Sequence, residues 1–247
     1  MIENISVVII VKNGAKTITK ALDSLKEFQE VIIYDNGSTD NTIKIAQSYS
    51  NVKLIKGDFL GFGETKNLAT TYANNDWILS LDSDEIITPK LLQELQNITL
   101  DQNYAYEIKR DNYFFDKEIK YSGWGKDYLI RLYNRKNCKF NQNIVHEFII
   151  CNKDIKIQRL INSFKHNAVQ DLNQFLFKVA KYSDLASKDK KTCFFLVVIL
   201  KSFFAFFKTY FIQLGFLDGW RGFVISISNF NGKFFRYTKR YINCKNI

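Results

Sequence analysis

ISVVIIVKNGAKTITKALDSLKEFQEVIIYDNGSTD, residues 5–40, contains the repeating unit on which the fold is built. Residues 5–11 form a β-branched run of the type found in buried strands. Residues 15–28 follow with Ile18, Leu22 and Leu25 at helical spacing, and residues 31–34 are a second short apolar run that ends at Asp35. Gly37 then turns the chain, and Ser38, Thr39 and Asp40 supply cap residues for a helix carrying Ile43, Ala46 and Tyr49. Working outward, residues 52–55 read as a third strand. Residues 64–74 read as a helix after a loop holding Gly57, Gly61 and Gly63, and residues 77–81 as a fourth strand. Thr88 and Pro89 are a cap and first-turn pair, with Leu91, Leu92, Leu95 and Ile98 as the apolar face of the next helix. Strand and helix alternating in this way predict a Rossmann-like α/β fold, with a mostly parallel sheet and right-handed crossovers. Such sheets bind ligands beyond the carboxyl ends of their strands. Lys12 and Asn13, Asp35 and Asn36, and Asp82 and Asp84 follow the first, second and fourth strands.

From residue 104 to 149 short aromatic strands replace this pattern (YAYEIKR, YLIRLY, NIVHEFII), which predicts hairpins added antiparallel at the sheet edge. After Asp171 the chain reads as helical to its end. The expected division is 1–168, itself split near 100, and a helical, basic, aromatic-rich region 169–247.

Composition sets the boundaries. A chain of 247 residues that is 46% hydrophobic and 15% aromatic buries a core and is not disordered. Cys138, Cys151, Cys193 and Cys244 lack Cys-x-x-Cys spacing, which argues against zinc and against a disulfide framework and predicts free thiols in a reducing cytoplasm. The first eleven residues have neither the basic start nor the long apolar region of a secretory signal, so a cytoplasmic location is expected. Charge is unevenly placed: residues 188–247 carry +9 of the total +10. The same segment contains CFFLVVILKSFFAFFKTYFIQLGF, residues 193–216, where Lys201 and Lys208 fall on one helical stripe. This reads as an interfacial or core helix rather than a membrane span.

LSLDSDE places Asp82 and Asp84 at the end of a buried strand, where adjacent like charges call for a cation such as Mg²⁺ or Mn²⁺ whose remaining ligands are phosphate oxygens and water. A solvated strand end is the plain alternative. Asp35 in YDNGSTD can accept from a nucleobase N–H or serve as a turn cap, and Lys66, opening a helix after the glycines, can pair with a diphosphate. Glu147, Asp127 and Asp111 are candidate proton acceptors, with Glu147 preferred because it follows a short strand in VHE. His146 and His166 are candidate metal or phosphate contacts. Trp124, between Gly123 and Gly125, is suited to stack on a sugar face or to anchor its loop.

SVVIIVKNG, VIIYDNGSTDNT, GFGETKNLA and DWILSLDSDE, in this order, resemble the family 2 glycosyltransferases of GT-A fold. WGKDYLIRLYNRKNCKF, NIVHEF, SFKHNAV, FKVAKYSDLAS and FLDGWRGF resemble its lipopolysaccharide-core β-1,4-glucosyltransferase subgroup. The resemblance implies inverting hexosyl transfer from a nucleotide-diphosphate sugar, a UDP-sugar by preference, to a glycan or glycolipid. It implies a catalytic domain over 1–168, with its donor half at 1–100 and acceptor half at 101–168. Carried over residue by residue, it implies that Asp35 reads the base, Lys66 faces the diphosphate, and Asp82 and Asp84 hold the metal; donor contacts are further expected from Lys12, Asn13 and Asp82, a metal contact from His146, and acceptor contacts from Trp124 and Arg131. Lys66 stands where the family commonly has Arg, and the Glu-Asp pair that often supplies the base is absent.

Two rivals fit less well. A sugar nucleotidyltransferase needs a longer Gly-rich loop than VKNGAKT, and a nucleic-acid-binding protein would leave the acidic cluster at Asp82 unexplained. In the last helix Phe230, Phe234, Tyr237 and Tyr241 share one face, with Lys233, Arg236, Lys239 and Arg240 on an adjoining arc. This predicts a helix lying in an anionic membrane interface, peripheral on the inner face of the cytoplasmic membrane; packing with a solvated basic side is the alternative.

Overall fold

A computed structural model describes residues 1–142, 147–187 and 191–245. The chain divides into two compact units, residues 1–110 with 127–166, and residues 111–126 with 167–247.

In the first unit, β1 (Ile2–Val11) pairs in parallel with β2 (Phe28–Asp35) and β4 (Trp77–Asp82), and β2 pairs in parallel with β3 (Val52–Lys56). Successive residues of β1 enter cores on opposite faces: Val7 and Ile9 join one apolar cluster, while Val8 joins another with Ile32 and Ile78. This double burial is why residues 5–11 show no polar alternation. The crossovers are α1 (Ile18–Asp23), α2 (Thr42–Gln47) and α3 (Phe62–Thr70). Helix α1 is shorter than the spacing predicts, because Phe28 is drawn into register beside Ile2 as the first residue of β2.

Beyond β4 the sheet continues through β8 (Tyr128–Asn134), β6 (Tyr104–Phe114), β11 (Lys156–Val169) and β5 (Glu85–Ile87), with β7 (Lys117–Glu118) beside β6. Strand β8 is antiparallel to β4 and to β6, as the hairpin expectation requires. Three strands separate β4 from β5 in the ladder, yet β5 begins three residues after Asp82. Three residues span at most about 10 Å, so the sheet curls until its last strand returns to the carboxyl end of β4. Helix α4 (Pro89–Asn97) follows, with the Thr88 side chain accepting from the Leu91 N–H as its cap. The NIVHEFII strand does not join the main sheet: β10 (Ile149–Cys151) pairs with β9 (Cys138–Phe140) in a separate ribbon.

The second unit holds α5 (Leu172–Leu185), α6 (Phe195–Phe207) with a π turn Lys208–Ile212, a 3₁₀ turn Gly215–Asp218, and α7 (Trp220–Lys245). Phe114 and Ile119 share its core with Val169 and Ile225. Buried Asp218 pins the 120–122 loop by accepting from the Lys120 and Tyr121 N–H groups and from the Ser122 hydroxyl. Among the described residues one helical stretch, Phe195–Ile212, is long and apolar enough to cross a membrane.

Two expectations are corrected here. The cysteines are paired rather than free: Cys151 lies opposite Cys138 across the β9–β10 ribbon, and Cys193 reaches Cys244 from the far end of α7. Spacing gave no sign of this because partners 13 and 51 residues apart meet through tertiary pairing. The aromatic face of α7 is also not free to insert in a bilayer. Phe230 packs on Phe203, Tyr241 on Phe195, and Lys201 lies over Tyr237, while Lys239 pairs with Asp184 and Arg240 donates to the Ala186 carbonyl. Exposed apolar residues are densest on α6, where Phe195, Leu196, Leu200, Phe203, Phe204 and Phe207 are exposed, although α7 also exposes Trp220, Phe223, Ile227, Phe235 and Ile242.

Candidate functional site

The carboxyl ends of β1, β2 and β4 are aligned by register, with Ile10 opposite both Tyr34 and Asp82, and Val11 opposite Asp35. Asp35 and Asp82 therefore end strands on either side of β1, about 10 Å apart at the usual strand spacing. Asp35 is buried, and one carboxylate oxygen, Oδ2, accepts from the N–H groups of Gly37 and Ser38 at 3.2 and 3.1 Å. Gly37 has φ +93°, a left-handed conformation that favours glycine, and it brings these donors round onto Asp35. The other oxygen, Oδ1, is buried and has no hydrogen-bond partner among the described residues.

Asn13 is held in the left-handed region at φ 56°, accepting from the Thr39 N–H and donating its own N–H to Ser38 Oγ. Gly14 and Ala15 donate to Thr42 Oγ1 and Asp40 Oδ2, so the loops after β1 and β2 are stitched into one surface. Lys12 is exposed beside it.

A chain of ionic contacts lies at the end of β4. Lys66, in α3 and only 3% exposed, donates to Asp82 Oδ1 at 2.8 Å and to Glu147 Oε1 at 3.2 Å. Arg131, on β8, donates to Asp82 Oδ2 at 3.1 Å and to Glu85 Oε1. Glu85 Oε2 accepts the Asp82 N–H. Arg110, on β6, holds Asp127 Oδ2 at 2.8 Å and reaches Glu85 at 3.5 Å. Burial alone would raise the Asp82 carboxyl, but Lys66 and Arg131 hold it well below the usual carboxylate range. Burial raises Glu85 despite Arg131, and Arg131 is itself raised by Glu85 and Asp82 over the cost of its own burial. Removing one member of such a buried group strands the others and costs about 3–5 kcal/mol.

The curl of the sheet brings β11 to the same place, with His166 opposite Glu85 in the β11–β5 ladder and its Nε2 3.6 Å from Asp84 Oδ2. Lys66, Asp82, Asp127, Arg131 and Glu147 thus meet in one network through residues 81 apart in sequence. Two differences from expectation follow. Arg131, expected at the acceptor, is buried and donates to Asp82 and Glu85. Asp82 already has a cation on each oxygen, and among the described residues no group of three or more His, Cys, Asp or Glu side chains is gathered for a metal. His146 lies outside the described residues. Asp111 and Trp124 belong to the second unit. Sequence reasoning missed Glu85 and Arg110. Glu85 opens the buried triplet EII, where an acid needs a partner, and that signal was available.

The parallel half of the sheet, its curled antiparallel extension and the charged network at the strand ends agree with one family of known proteins. The glycosyl transferase family 2 model matches residues 6–156, and this chain belongs to that family, with the GT-A fold. It is 32% identical to an uncharacterized glycosyltransferase of Rickettsia felis over 96% of this chain and 89% of the relative. It is 24% identical to the lipopolysaccharide core biosynthesis glycosyltransferase LpsC of Rhizobium meliloti over 88% of this chain and 83% of that one. A crystal structure of S. aureus TarS in complex with UDP-GlcNAc covers 93% of this chain, with 81% of that chain covered, at 16% identity and a TM-score of 0.48, too loose to transfer any residue's role.

Proposed function

We propose that this glycosyltransferase moves a hexose from a UDP-sugar, with inversion, to a hydroxyl of a lipid-anchored glycan at a membrane surface. The observation that carries the donor reading is the unpartnered, buried Oδ1 of Asp35 at the end of β2. A buried acceptor without a donor costs about 1–3 kcal/mol, and a uracil imide N–H would satisfy it. The backbone donors on Oδ2 fix the carboxylate in place beforehand.

At the other end of the cleft Lys66 is the cation placed to meet a diphosphate. Drawing its ammonium from Glu147 toward the leaving group would free the Glu147 carboxylate. The acceptor oxygen then bonds to the anomeric carbon, the bond from that carbon to the diphosphate breaks, and Glu147 takes the hydroxyl proton. Asp127 is the alternative base, but its carboxylate is held by Arg110. Asp84 and His166 form an oxygen and nitrogen donor pair that fits a divalent cation better than Asp82 does. Bound there, Mg²⁺ or Mn²⁺ would supply charge stabilisation to the departing diphosphate.

The acceptor reading rests on two supports. One relative is named for lipopolysaccharide core biosynthesis. In addition, α6 and the π turn after it expose Leu196, Leu200, Phe203, Phe207 and Phe211 on one face, an apolar stripe suited to a bilayer surface.

A panel of UDP-, GDP-, CDP- and dTDP-sugars, each with and without Mn²⁺, tests the donor. At a hundredfold excess over Kd the preferred sugar nucleotide should stabilise the protein by about 2.7 kcal/mol. A rise in Tm with UDP-sugars and not the others is expected, and no response to any of them refutes the reading.

A further inference from the structure

Within the second unit, Lys201 and Lys208 on α6 and its π turn and Lys233 on α7 face a cavity of about 470 Å³. Its walls are completed by the Ser122–Trp124 loop, Phe204, Gln213 and Asn229, among other residues, and no Asp or Glu lines it. Among the described residues none of the three lysines is paired with a carboxylate. Of the neutral polar groups, Asn229 donates to Thr209 Oγ1, Ser122 is held by Asp218, and Tyr237, which also lines the cavity, lies beneath Lys201. Lys233 sits below the ordinary lysine range because burial and the nearby cations Arg236, Lys201 and Arg240 all disfavour its charge. Three ammonium groups converging without a counter-charge are costly unless an anion joins them.

The surroundings point to the kind of anion. Lys201 and Lys208 lie about 100° around the helix from the exposed stripe of Leu196, Leu200, Phe203, Phe207 and Phe211. Phe204, 60% exposed, lies between the stripe and the lysines and is itself a wall of the cavity. An amphiphile with apolar chains along the stripe would therefore present its polar head to the lysines. A phosphate monoester carries about −1.5 to −2 charge near neutral pH, a fair match for the cluster.

We infer that this cavity is a binding site for the phosphorylated head group of a membrane lipid, gripped by Lys201, Lys208 and Lys233 beside the apolar stripe of α6. It deepens the membrane-surface part of the proposed function and is independent of the donor site, so measuring UDP-sugar binding on the same preparations separates failure of one reading from failure of the other. The head group leaves the aromatic face of α7 packed as it is and needs no insertion of that helix.

The test uses the full chain and vesicles of phosphatidylcholine alone or with phosphatidic acid, at about 0.15 M salt so that diffuse surface attraction is screened beyond roughly 8 Å. Two variants with equal loss of charge are compared: Lys201→Gln with Lys208→Gln and Lys233→Gln, and Lys178→Gln with Lys181→Gln and Lys191→Gln as the control. Phosphatidic acid should strengthen wild-type binding, and the cavity variant should lose about tenfold or more of that gain, while the control stays within about twofold. Equal losses in both variants, or none in the cavity variant, overturn the site. Inorganic phosphate binding as tightly as the phosphatidic acid vesicles overturns the lipid source in favour of free phosphate. A second measurement needs no variant. Acetylation of the wild-type lysines, read by mass spectrometry, should show Lys201, Lys208 and Lys233 protected by dihexanoyl phosphatidic acid while Lys178 and Lys181 remain reactive, and equal labelling with and without that lipid refutes the assignment.

Discussion

Asp35→Asn separates the two roles that this side chain can play, because a turn cap is read in the stability of the free protein and a nucleobase contact in donor affinity. In the free protein Asp35 Oδ2 accepts two backbone N–H groups and Oδ1 accepts none. The asparagine can keep its carbonyl oxygen on Gly37 and Ser38, placing an NH₂ where the orphaned oxygen stood. The turn loses a charge-assisted component, while the buried, unpartnered carboxylate oxygen is exchanged for a buried, unpartnered but neutral NH₂, so one penalty of about 1–3 kcal/mol replaces another. The free protein should therefore change little in stability, within about 1 kcal/mol, or roughly 2–4 °C in Tm for a chain of this size. Donor binding should suffer much more. A hydrogen bond from a neutral donor to a carboxylate is worth about 1.5–3 kcal/mol, and the variant sets donor against donor, so the Kd for UDP should rise by roughly 10- to 150-fold. Calorimetric titration with UDP, beside thermal unfolding without ligand, gives both quantities on one preparation. Clear destabilisation with unchanged UDP affinity would mean that Asp35 only caps the turn, and the donor reading would fall.

Glu147→Gln should leave UDP-sugar affinity nearly intact and cut turnover by about 10² or more; if Asp127→Asn does this instead, the base moves there. Asp84→Ala and His166→Ala should each abolish the dependence of UDP affinity on Mn²⁺ without unfolding the protein, and full activity of the wild type in excess chelator refutes the metal site. Asp82 has its carboxyl held low in the fold, so its contribution to stability is present above the ordinary carboxylate range and lost on acidification. The stability gap between wild type and Asp82→Asn should therefore narrow from about pH 5 downward, and a gap independent of pH down to acid unfolding contradicts the ion pairs. Thiol titration of the unreduced, denatured protein should find no free cysteine, whereas four reactive thiols would restore the expectation of unpaired cysteines.

The parallel half was legible in the sequence because β1, β2 and β4 are buried on both faces and read as near-unbroken apolar runs, each followed by polar residues. The strand-end residues were legible for the same reason: Asp35 and Asp82 follow their apolar runs directly. The network around Asp82 was legible only in part. Arg110, Arg131 and His166 reach it through the antiparallel extension and the return of β5, pairings that depend on register and curl rather than on any periodic signal. Arg131 was expected at the acceptor, and no signal in YLIRLY told that its guanidinium would meet Asp82 and Glu85, because alternation alone does not tell which face of a strand is covered. The α7 stripe was read with the right spacing but the wrong neighbour, since an aromatic face suits packing on α6 as well as it suits lipid.

The second unit is discontinuous, and this bears on how such an enzyme can be taken apart. Phe114 and Ile119 belong to its core although the family model, which ends at residue 156, includes them. The backbone crosses between the two units at three points, near residues 110, 126 and 166. The helices are therefore not a cassette that a single recombination event could append or swap. A chimera joined near residue 167 would inherit the 111–126 segment from one parent and the α5 to α7 partners of that segment from the other. Acceptor preference, if it resides in these helices, would have to be exchanged together with that short internal segment, and inheritance at the two places would be coupled.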